Sequence, residues 1–246
     1  MLKNQKIYST VKGLVYTLKN YSDGLGHLIF TNTCLHCQNE LTFSERFLCW
    51  FCWESLERTF FEHQTVPTRL DQLFWGRVQI KHTCALYYYS KDNICQSLIR
   101  SLKYDFNAPL GVFLGEHLAN EIKEHPIRFV DAIIPVPLHP KKKFARGYNQ
   151  SELLAKGLAK NWNVPILNKA TFKKRNTKSQ TKKDRFGRWE NVQNMFELHL
   201  DLFQFKHILI VDDVVTTGAT LESLIVSIQQ KAPEVQISLL SFAFTK

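Results

Sequence analysis

The sequence lacks any long apolar run. No hydrophobic stretch approaches the roughly 20 residues of a membrane-spanning helix, and the N-terminus has no continuous apolar core of the kind found in signal peptides. We therefore expect no membrane insertion and a cytoplasmic location.

Acidic residues are also scarce relative to basic ones. The 246 residues include 22 Asp and Glu against 32 Lys and Arg, which gives a formal net charge of +10. Such an excess favours a polyanionic partner or substrate. A hydrophobic content of 44% with 13% aromatic residues excludes a disordered chain. The length suggests one ordinary domain with an appendage.

Four of the six cysteines form two Cys-x-x-Cys pairs separated by eleven residues. They are Cys34, Cys37, Cys49 and Cys52. Two such pairs can complete a tetrahedral Zn²⁺ shell, and four thiolates leave no open position, so we predict a structural zinc site. Disulfide bonds are the rival interpretation, which a reducing compartment disfavours. Cys84 and Cys95 have no partner spacing and are expected to be buried.

Aromatic residues cluster around the second pair. They are Trp50, Phe51, Trp53, Phe60 and Phe61. Two uses are open: these rings stack on single-stranded bases, or they pack the zinc module against its neighbour.

Residues 208–220 change from apolar to polar within a few positions. The β-branched run 208–211 is typical of a strand buried on both faces of a parallel sheet. Leu221, Leu224, Ile225 and Ile228 recur with helical spacing. The pattern predicts a strand, a turn and a helix, with the turn at the edge where open α/β sheets place their ligands.

The turn itself carries two carboxylates followed by hydroxyls and a glycine. A helix N-terminus with Gly218 and threonine hydroxyls suits a phosphate. Asp212 and Asp213 suit sugar hydroxyls or a hydrated Mg²⁺ ion. The alternative is that Asp213 and the threonines only cap the helix.

Two further segments are rich in cations. A buried strand predicted at 130–138 leads into a basic loop at 139–148, and Asn149 with Glu152 predicts a capping box at the next helix. Residues 169–191 have little apolar periodicity and are predicted to form a mobile basic loop. A simple solvated loop is the alternative for the lysine run in 139–148.

The remaining pattern predicts the scaffold. An amphipathic helix is expected within 1–33, helices through Ile94–Leu102 and Leu110–Ile122, and strands at 82–89, 164–167, 195–198 and 235–244.

The acidic pair and its turn resemble the phosphoribosyl pyrophosphate (PRPP) signature of type I phosphoribosyltransferases. The resemblance implies PRPP contacts through Asp212, Asp213, Val214, Val215, Thr216, Thr217, Gly218, Ala219 and Thr220. In that family the acidic pair contacts the ribose and the following loop holds the 5′-phosphate, so Asp212 and Asp213 are the candidate catalytic residues.

The segments 135–140 and 146–151, with the four cysteines, resemble the ComF family of DNA-uptake proteins. Arg175, Thr177, Gln180, Arg188 and Asn191 match a further ComF pattern, although Lys183 stands where a leucine is usual. The resemblance implies pyrophosphate or basic-loop contacts from His139, Lys141, Lys142, Lys143, Arg146, Arg175, Gln180 and Arg188.

Together these features predict an α/β protein with a type I phosphoribosyltransferase-like fold: an open, mostly parallel sheet with helices on both faces, plus a small zinc module. The expected organisation is a helix and zinc module at 1–65, a connector at 66–80 and the main domain at 81–246.

The resemblance implies binding of PRPP with Mg²⁺, and a role in DNA uptake for natural transformation with single-stranded DNA as partner, alongside other uptake proteins. Whether the protein is an enzyme stays open. The alternative function is an active purine or pyrimidine phosphoribosyltransferase in nucleotide salvage.

Overall fold

The computed structural model describes residues 32–168, 170–173, 196–198 and 202–246. The chain divides into two compact units, Met1–Ser55 and Leu56–Lys246. The helix expected within 1–33 falls almost entirely outside the described residues.

The N-terminal unit is built on tight turns around its cysteines. The Cys34 N–H donates to Asn39 O and the Gln38 N–H to Cys34 O, with Gln38 in the left-handed region (φ 63°). The unit ends in the short helix α1 (Trp50–Glu54). Glu45 Oε1 accepts the Trp50 N–H at 2.6 Å, which satisfies a donor in the first turn of α1.

The larger unit contains a parallel four-stranded sheet in the order β1-β6-β5-β2. Its strands are β1 (His82–Tyr89), β2 (Ala132–Pro135), β5 (His207–Val215) and β6 (Gln236–Thr245). The predicted strands at 82–89, within 130–138, at 208–211 and at 235–244 are confirmed. However, β5 continues to Val215, so Asp212 and Asp213 lie in the strand and not in the turn where they were predicted. β5 lies between β6 and β2, which explains why residues 208–211 are apolar on both faces.

The described part of this unit contains six α-helices. They are α2 (Arg69–Gln72), α3 (Ile94–Tyr104), α4 (Ala108–Glu121), α5 (Pro140–Arg146), α6 (Gln150–Trp162) and α7 (Ala219–Lys231). One core cluster joins α7 to Ile208 and Ile210 and contains no residue of α3, α4 or α6. Because α6 nevertheless contacts β2 and β5, it packs on the opposite face, and the predicted fold class is confirmed.

The helices α4 and α6 cross at close range. A Cβ on Gly115 would lie 2.1 Å from Leu154 O, and one on Gly157 would lie 2.3 Å from Val112 O. These glycines therefore let the two backbones touch.

Two predicted elements differ from the structure. The basic stretch 139–148 contains the helix α5 rather than a loop, since Pro140 begins the helix and Gly147 (φ 75°) ends it. The strand expected at 164–167 is reduced to a single parallel bridge between Ile166 and Ile133.

The strand predicted at 195–198 is present. β4 (Phe196–Leu198) pairs in antiparallel fashion with β3 (Thr171–Lys173). Among the described residues, α2 lies in the segment 66–80, where Leu70 and Phe74 are buried in the main core.

No helix in the described ranges combines the length and apolar character needed to cross a bilayer.

Candidate functional site

The carboxyl ends of β2 and β5 meet at a cleft of about 580 Å³. β2 and β5 are adjacent parallel strands, and the chain leaves them toward helices that pack on opposite faces. Such a switch point is where open α/β sheets bind their ligands. We call this space the switch-point cleft.

Asp212 forms part of the cleft floor. Its Oδ1 accepts hydrogen bonds from Ser151 Oγ at 3.0 Å and from the Asp213 N–H at 2.9 Å. Burial, and then the charge of Asp213, raise the pKa of Asp212 to about 7, whereas the Ser151 hydrogen bond and the Lys103 charge act in the opposite direction. A cation bound beside Asp212 would stabilise its ionised form and so lower this raised pKa.

Asp213 is the more buried of the two acids and is 8% exposed. Lys103 Nζ lies 2.7 Å from its Oδ2, which is close enough for an ion pair but not aligned as a hydrogen bond. Asp213 Oδ1 accepts the Val214 N–H at 3.0 Å. One oxygen of this carboxylate therefore has no directed hydrogen bond among the described residues.

The turn after β5 leads directly into α7. Gly218 is the N-cap residue and has no side chain with which to cap this helix. Asp213 does not cap α7 either, since it lies within β5 and its Oδ1 accepts the Val214 N–H. With φ 72° and Leu73 and Phe74 packed against it, Gly218 both reverses the chain and allows a close approach.

Cations and donors line the opposite side of the cleft. His139, Lys142 and Arg146 reach it from α5 and its N-cap. His139 Nδ1 accepts the Lys141 N–H at 3.2 Å, so the neutral ring carries its proton on Nε2. Gln150 Oε1 accepts a hydrogen bond from Arg146 at 2.9 Å, while the buried Gln150 Nε2 has no partner in the described part of the chain.

Asn149 ties this side to the sheet. Its Nδ2 donates to Val136 O at 2.9 Å, and its Oδ1 accepts the Ser151 N–H at 3.2 Å. Glu152 pairs with Lys143 at 2.8 Å. The capping box predicted between Asn149 and Glu152 does not form, because this ion pair engages the glutamate instead.

A second cleft of about 510 Å³ lies beside the first. It shares Pro137, Leu138 and Asn149 with the switch-point cleft, and Lys143 and Phe144 line it from α5. Thus Lys142 and Lys143, although adjacent, line different clefts.

The structure brings part of the predicted PRPP set together. The members of this set that line the switch-point cleft are Asp212, Asp213, Val214, Thr216 and Thr220. Val215 is buried, and neither it nor Thr217, Gly218 or Ala219 is among the lining residues. Of the basic set, His139, Lys142 and Arg146 line it, whereas Lys141 does not. Arg175, Gln180 and Arg188 lie outside the described residues.

Eight lining residues were not assigned to the site from the sequence, and three of them carry polar side chains that contact the acidic pair or Arg146. Lys103 belonged to a predicted scaffold helix, and only its place in the last turn, where basic residues favour the helix dipole, marked it. Gln150 and Ser151 stood in the ComF-like segment, but nothing in the pattern indicated contact with Asp212 or Arg146.

The four predicted zinc ligands form one cluster. The Sγ atoms of Cys34, Cys37, Cys49 and Cys52 all lie within 4.8 Å of one another. Zn–S bonds of about 2.3 Å in a tetrahedron separate the sulfurs by about 3.8 Å, and Cys37 Sγ lies 3.6 Å from Cys49 Sγ. The donor set and its spacing therefore fit Zn²⁺.

Two of these thiols titrate differently. At Cys34, burial raises the pKa, but hydrogen bonds from the N–H groups of Cys49, His36 and Cys37 outweigh it and lower the pKa to about 7. Burial and the neighbouring sulfurs raise the pKa of Cys52. A divalent cation would relieve this mutual repulsion.

The aromatic residues near this cluster differ in exposure. Trp50 is 69% exposed and Phe51 is 72% exposed, whereas Phe61 lies in the core of the larger unit. Cys84 and Cys95 are buried, as predicted.

The fold and the cysteine cluster define the class of the protein: an α/β protein with an open parallel sheet and an N-terminal four-cysteine module. No family model matches the sequence. The sequence is 24% identical over 208 residues to competence protein F of Haemophilus influenzae. This match covers 79% of this chain and 90% of that protein.

Two further relatives match a shorter region. DNA utilization protein YhgH of Escherichia coli K12 is 32% identical over 131 residues, and competence protein ComFC of Bacillus subtilis is 25% identical over 134 residues. These matches span 52% and 54% of this chain, and 57% and 52% of the relatives. The names of these relatives support the resemblance to the ComF family that the sequence motifs indicate.

Proposed function

We propose that this protein binds PRPP with Mg²⁺ in the switch-point cleft and acts in DNA uptake for natural transformation by contacting single-stranded DNA. The names of its relatives, which refer to competence and DNA utilization, support the role in uptake. The observation that carries the ligand is the pairing of two carboxylates with a set of cations across one cleft.

The two sides of the cleft suit the two ends of PRPP. Asp212 and Asp213 accept hydrogen bonds from ribose hydroxyls, and the α7 N-terminus with Thr216 and Thr220 holds the 5′-phosphate. Lys142, Arg146 and His139 face the pyrophosphate, and the unpaired Gln150 Nε2 supplies a further donor. Mg²⁺ is the cation expected with such a polyphosphate.

In the N-terminal unit we propose a structural Zn²⁺ ion on Cys34, Cys37, Cys49 and Cys52. Such an ion would fold these turns, since the described part of the unit has few other buried groups.

Thermal unfolding with and without PRPP and Mg²⁺ tests the cleft. The ligand should raise the melting temperature, and Asp212→Asn/Asp213→Asn should abolish the rise. Lys142→Ala should reduce it, whereas Lys141→Ala, which removes the same charge one residue away from the cleft lining, should not. An unchanged melting curve for the wild type would eliminate PRPP as the ligand.

The second cleft favours one alternative, a transferase of nucleotide salvage. Three prolines, Leu138 and Phe144 give it an apolar side, and it adjoins the switch-point cleft. A planar base could therefore approach a bound PRPP from there. Release of pyrophosphate from PRPP in the presence of a panel of bases and DNA separates transferase from binder.

A further inference from the structure

An exposed surface next to the switch-point cleft combines aromatic rings with cations. Tyr104 is 65% exposed and Phe106 is 67% exposed, at the end of α3. Arg146 lies over the Tyr104 ring at 5.5 Å from its centroid. The Phe106 ring approaches to 3.7 Å of where a Gly147 Cβ would lie. We call Arg100, Tyr104, Phe106 and Arg146 the aromatic ridge.

The ridge is held in place from below. Tyr148 Oη donates to Leu102 O at 2.9 Å, which fastens the chain after α5 to α3. Arg100 precedes Tyr104 by four residues on α3 and is exposed, so it lies on the same helix face. Tyr104 therefore has the Arg146 guanidinium over its ring and a second arginine one helical turn earlier on α3.

Phe106 adopts a backbone conformation that its side chain does not favour. Its φ of 52° lies in the left-handed region, which bulky residues rarely occupy. Burial does not compensate for this, because the side chain is largely exposed. Backbone strain without a packing reason is a feature of functional sites.

The helix α5 also has no packing role. None of its seven residues is buried, and Phe144 on it is 92% exposed. A helix of this kind presents its side chains to solvent or to a ligand. Its Arg146 is shared, because it lines the switch-point cleft and also covers the Tyr104 ring.

The arginine beside the exposed Phe60 is less suited to a polyanion. Arg58 lies over the Phe60 ring, but it pairs with both Glu62 and Glu121. Among the described residues, no carboxylate pairs with Arg146. Its positive charge is therefore available to a phosphate.

We propose that the aromatic ridge binds single-stranded DNA, with bases stacked on Tyr104 and Phe106 and backbone phosphates on Arg100 and Arg146, and that PRPP in the switch-point cleft competes with the strand for Arg146. This rests on the proposed function for the PRPP half. Unpaired bases can reach exposed rings, whereas a duplex hides its bases, so the strand is single. Two polyanions that share a cation repel each other, so each weakens the binding of the other.

Fluorescence anisotropy with a labelled oligo(dT) at low salt tests the ridge. Tyr104→Ala/Phe106→Ala should weaken binding about ten-fold or more, and Phe106→Asn, which tolerates the left-handed backbone, should weaken it without lowering the melting temperature. The matched control is Phe129→Ala. Phe129 is 71% exposed with Arg128 over its ring, but it precedes β2 at the amino end of the sheet.

The two halves fail separately. Equal losses in the ridge and control variants, or equal affinity for duplex DNA, would overturn the ridge and leave the PRPP cleft intact. No wild-type oligonucleotide binding would overturn both the ridge and the DNA contact.

PRPP with Mg²⁺ should weaken oligonucleotide binding about five-fold or more at constant ionic strength, and not in Asp212→Asn/Asp213→Asn. If PRPP raises the melting temperature but leaves oligonucleotide affinity unchanged, the competition is refuted while the cleft stands.

Discussion

Lys103 reaches Asp213 from the last turn of α3, and its Nζ lies 2.7 Å from Asp213 Oδ2. The contact joins a helix to the strand that carries both candidate carboxylates. It places a positive charge where two adjacent acids would otherwise repel each other and any incoming phosphate. Lys103 is thus a positioning residue for the acidic pair.

Replacing Lys103 by methionine should lower both stability and PRPP binding. The buried Asp213 would lose its counter-charge, and the pKa of Asp212 would rise further because the Lys103 charge lowers it. We expect a loss of about 1 to 3 kcal/mol in the free energy of unfolding at pH 8, measured by urea denaturation. Lys103→Arg should retain most of both properties. The exposed Lys91→Met is the control, and an equal effect there would refute the role of the ion pair.

The raised pKa of Asp212 predicts a specific pH dependence of stability. Between its ordinary value of 3.8 and about 7, the folded state binds more protons at Asp212 than the unfolded state does. Stability from this group is therefore lost as pH rises through that window. Asp212→Asn removes this dependence. The free energy of unfolding of the variant, relative to that of the wild type, should therefore be higher at pH 8 than at pH 5 by an amount on the order of 1 to 3 kcal/mol.

Urea denaturation at the two pH values measures this gain. Glu234→Gln, an exposed acid ahead of β6, is the matched control and should show no such gain. A difference between Asp212→Asn and the wild type that is the same at both pH values would contradict the raised pKa. Binding of PRPP with Mg²⁺ should also release a proton near pH 7, because a nearby cation favours the ionised carboxylate.

The periodic elements could be predicted from the sequence because their signals are local. A buried strand is predicted by the apolar side chains of Ile208 to Val211 alone, and the prediction for β1 has the same bounds as the strand itself. The cysteine cluster was equally accessible, since the spacing of Cys34, Cys37, Cys49 and Cys52 already limits the chemistry.

Contacts between distant segments were beyond such reasoning. Lys103 and Asp213 are 110 positions apart, so neither local periodicity nor motif spacing connects them. The helix α5 was missed because its residues bury nothing, and an amphipathic pattern is absent where no face is packed. The exposed Tyr104 and Phe106 carried no signal either, because exposure is a property of the fold.

Loss of the cysteine cluster should affect the N-terminal unit alone. Cys37→Ser/Cys49→Ser should abolish the roughly one zinc ion per chain expected by elemental analysis, because two ligands cannot hold a structural site. The increase in melting temperature with PRPP should persist, since the cleft is lined only by residues after Leu56. Cys84→Ser/Cys95→Ser is the control. It should retain the zinc, although burying two hydroxyls costs stability. Retention of zinc by the first variant would exclude these ligands.

A comparison of Gly218 with Gly76 distinguishes the cost of backbone strain from the cost of a steric clash when a side chain is added. Gly218 has φ 72° and Gly76 has φ 69°, so alanine is strained at both by about 1 kcal/mol or slightly more. At Gly218 the new Cβ would also lie 2.9 Å from Leu73 and 3.0 Å from the Phe74 ring, whereas at Gly76 nothing lies within 4 Å. Gly218→Ala should therefore lower the free energy of unfolding by about 1 to 3 kcal/mol more than Gly76→Ala does. Because Gly218 is the N-cap of α7, Gly218→Ala should also weaken PRPP binding. Equal losses in the free energy of unfolding for the two substitutions would show that the packing of Leu73 and Phe74 does not constrain this turn.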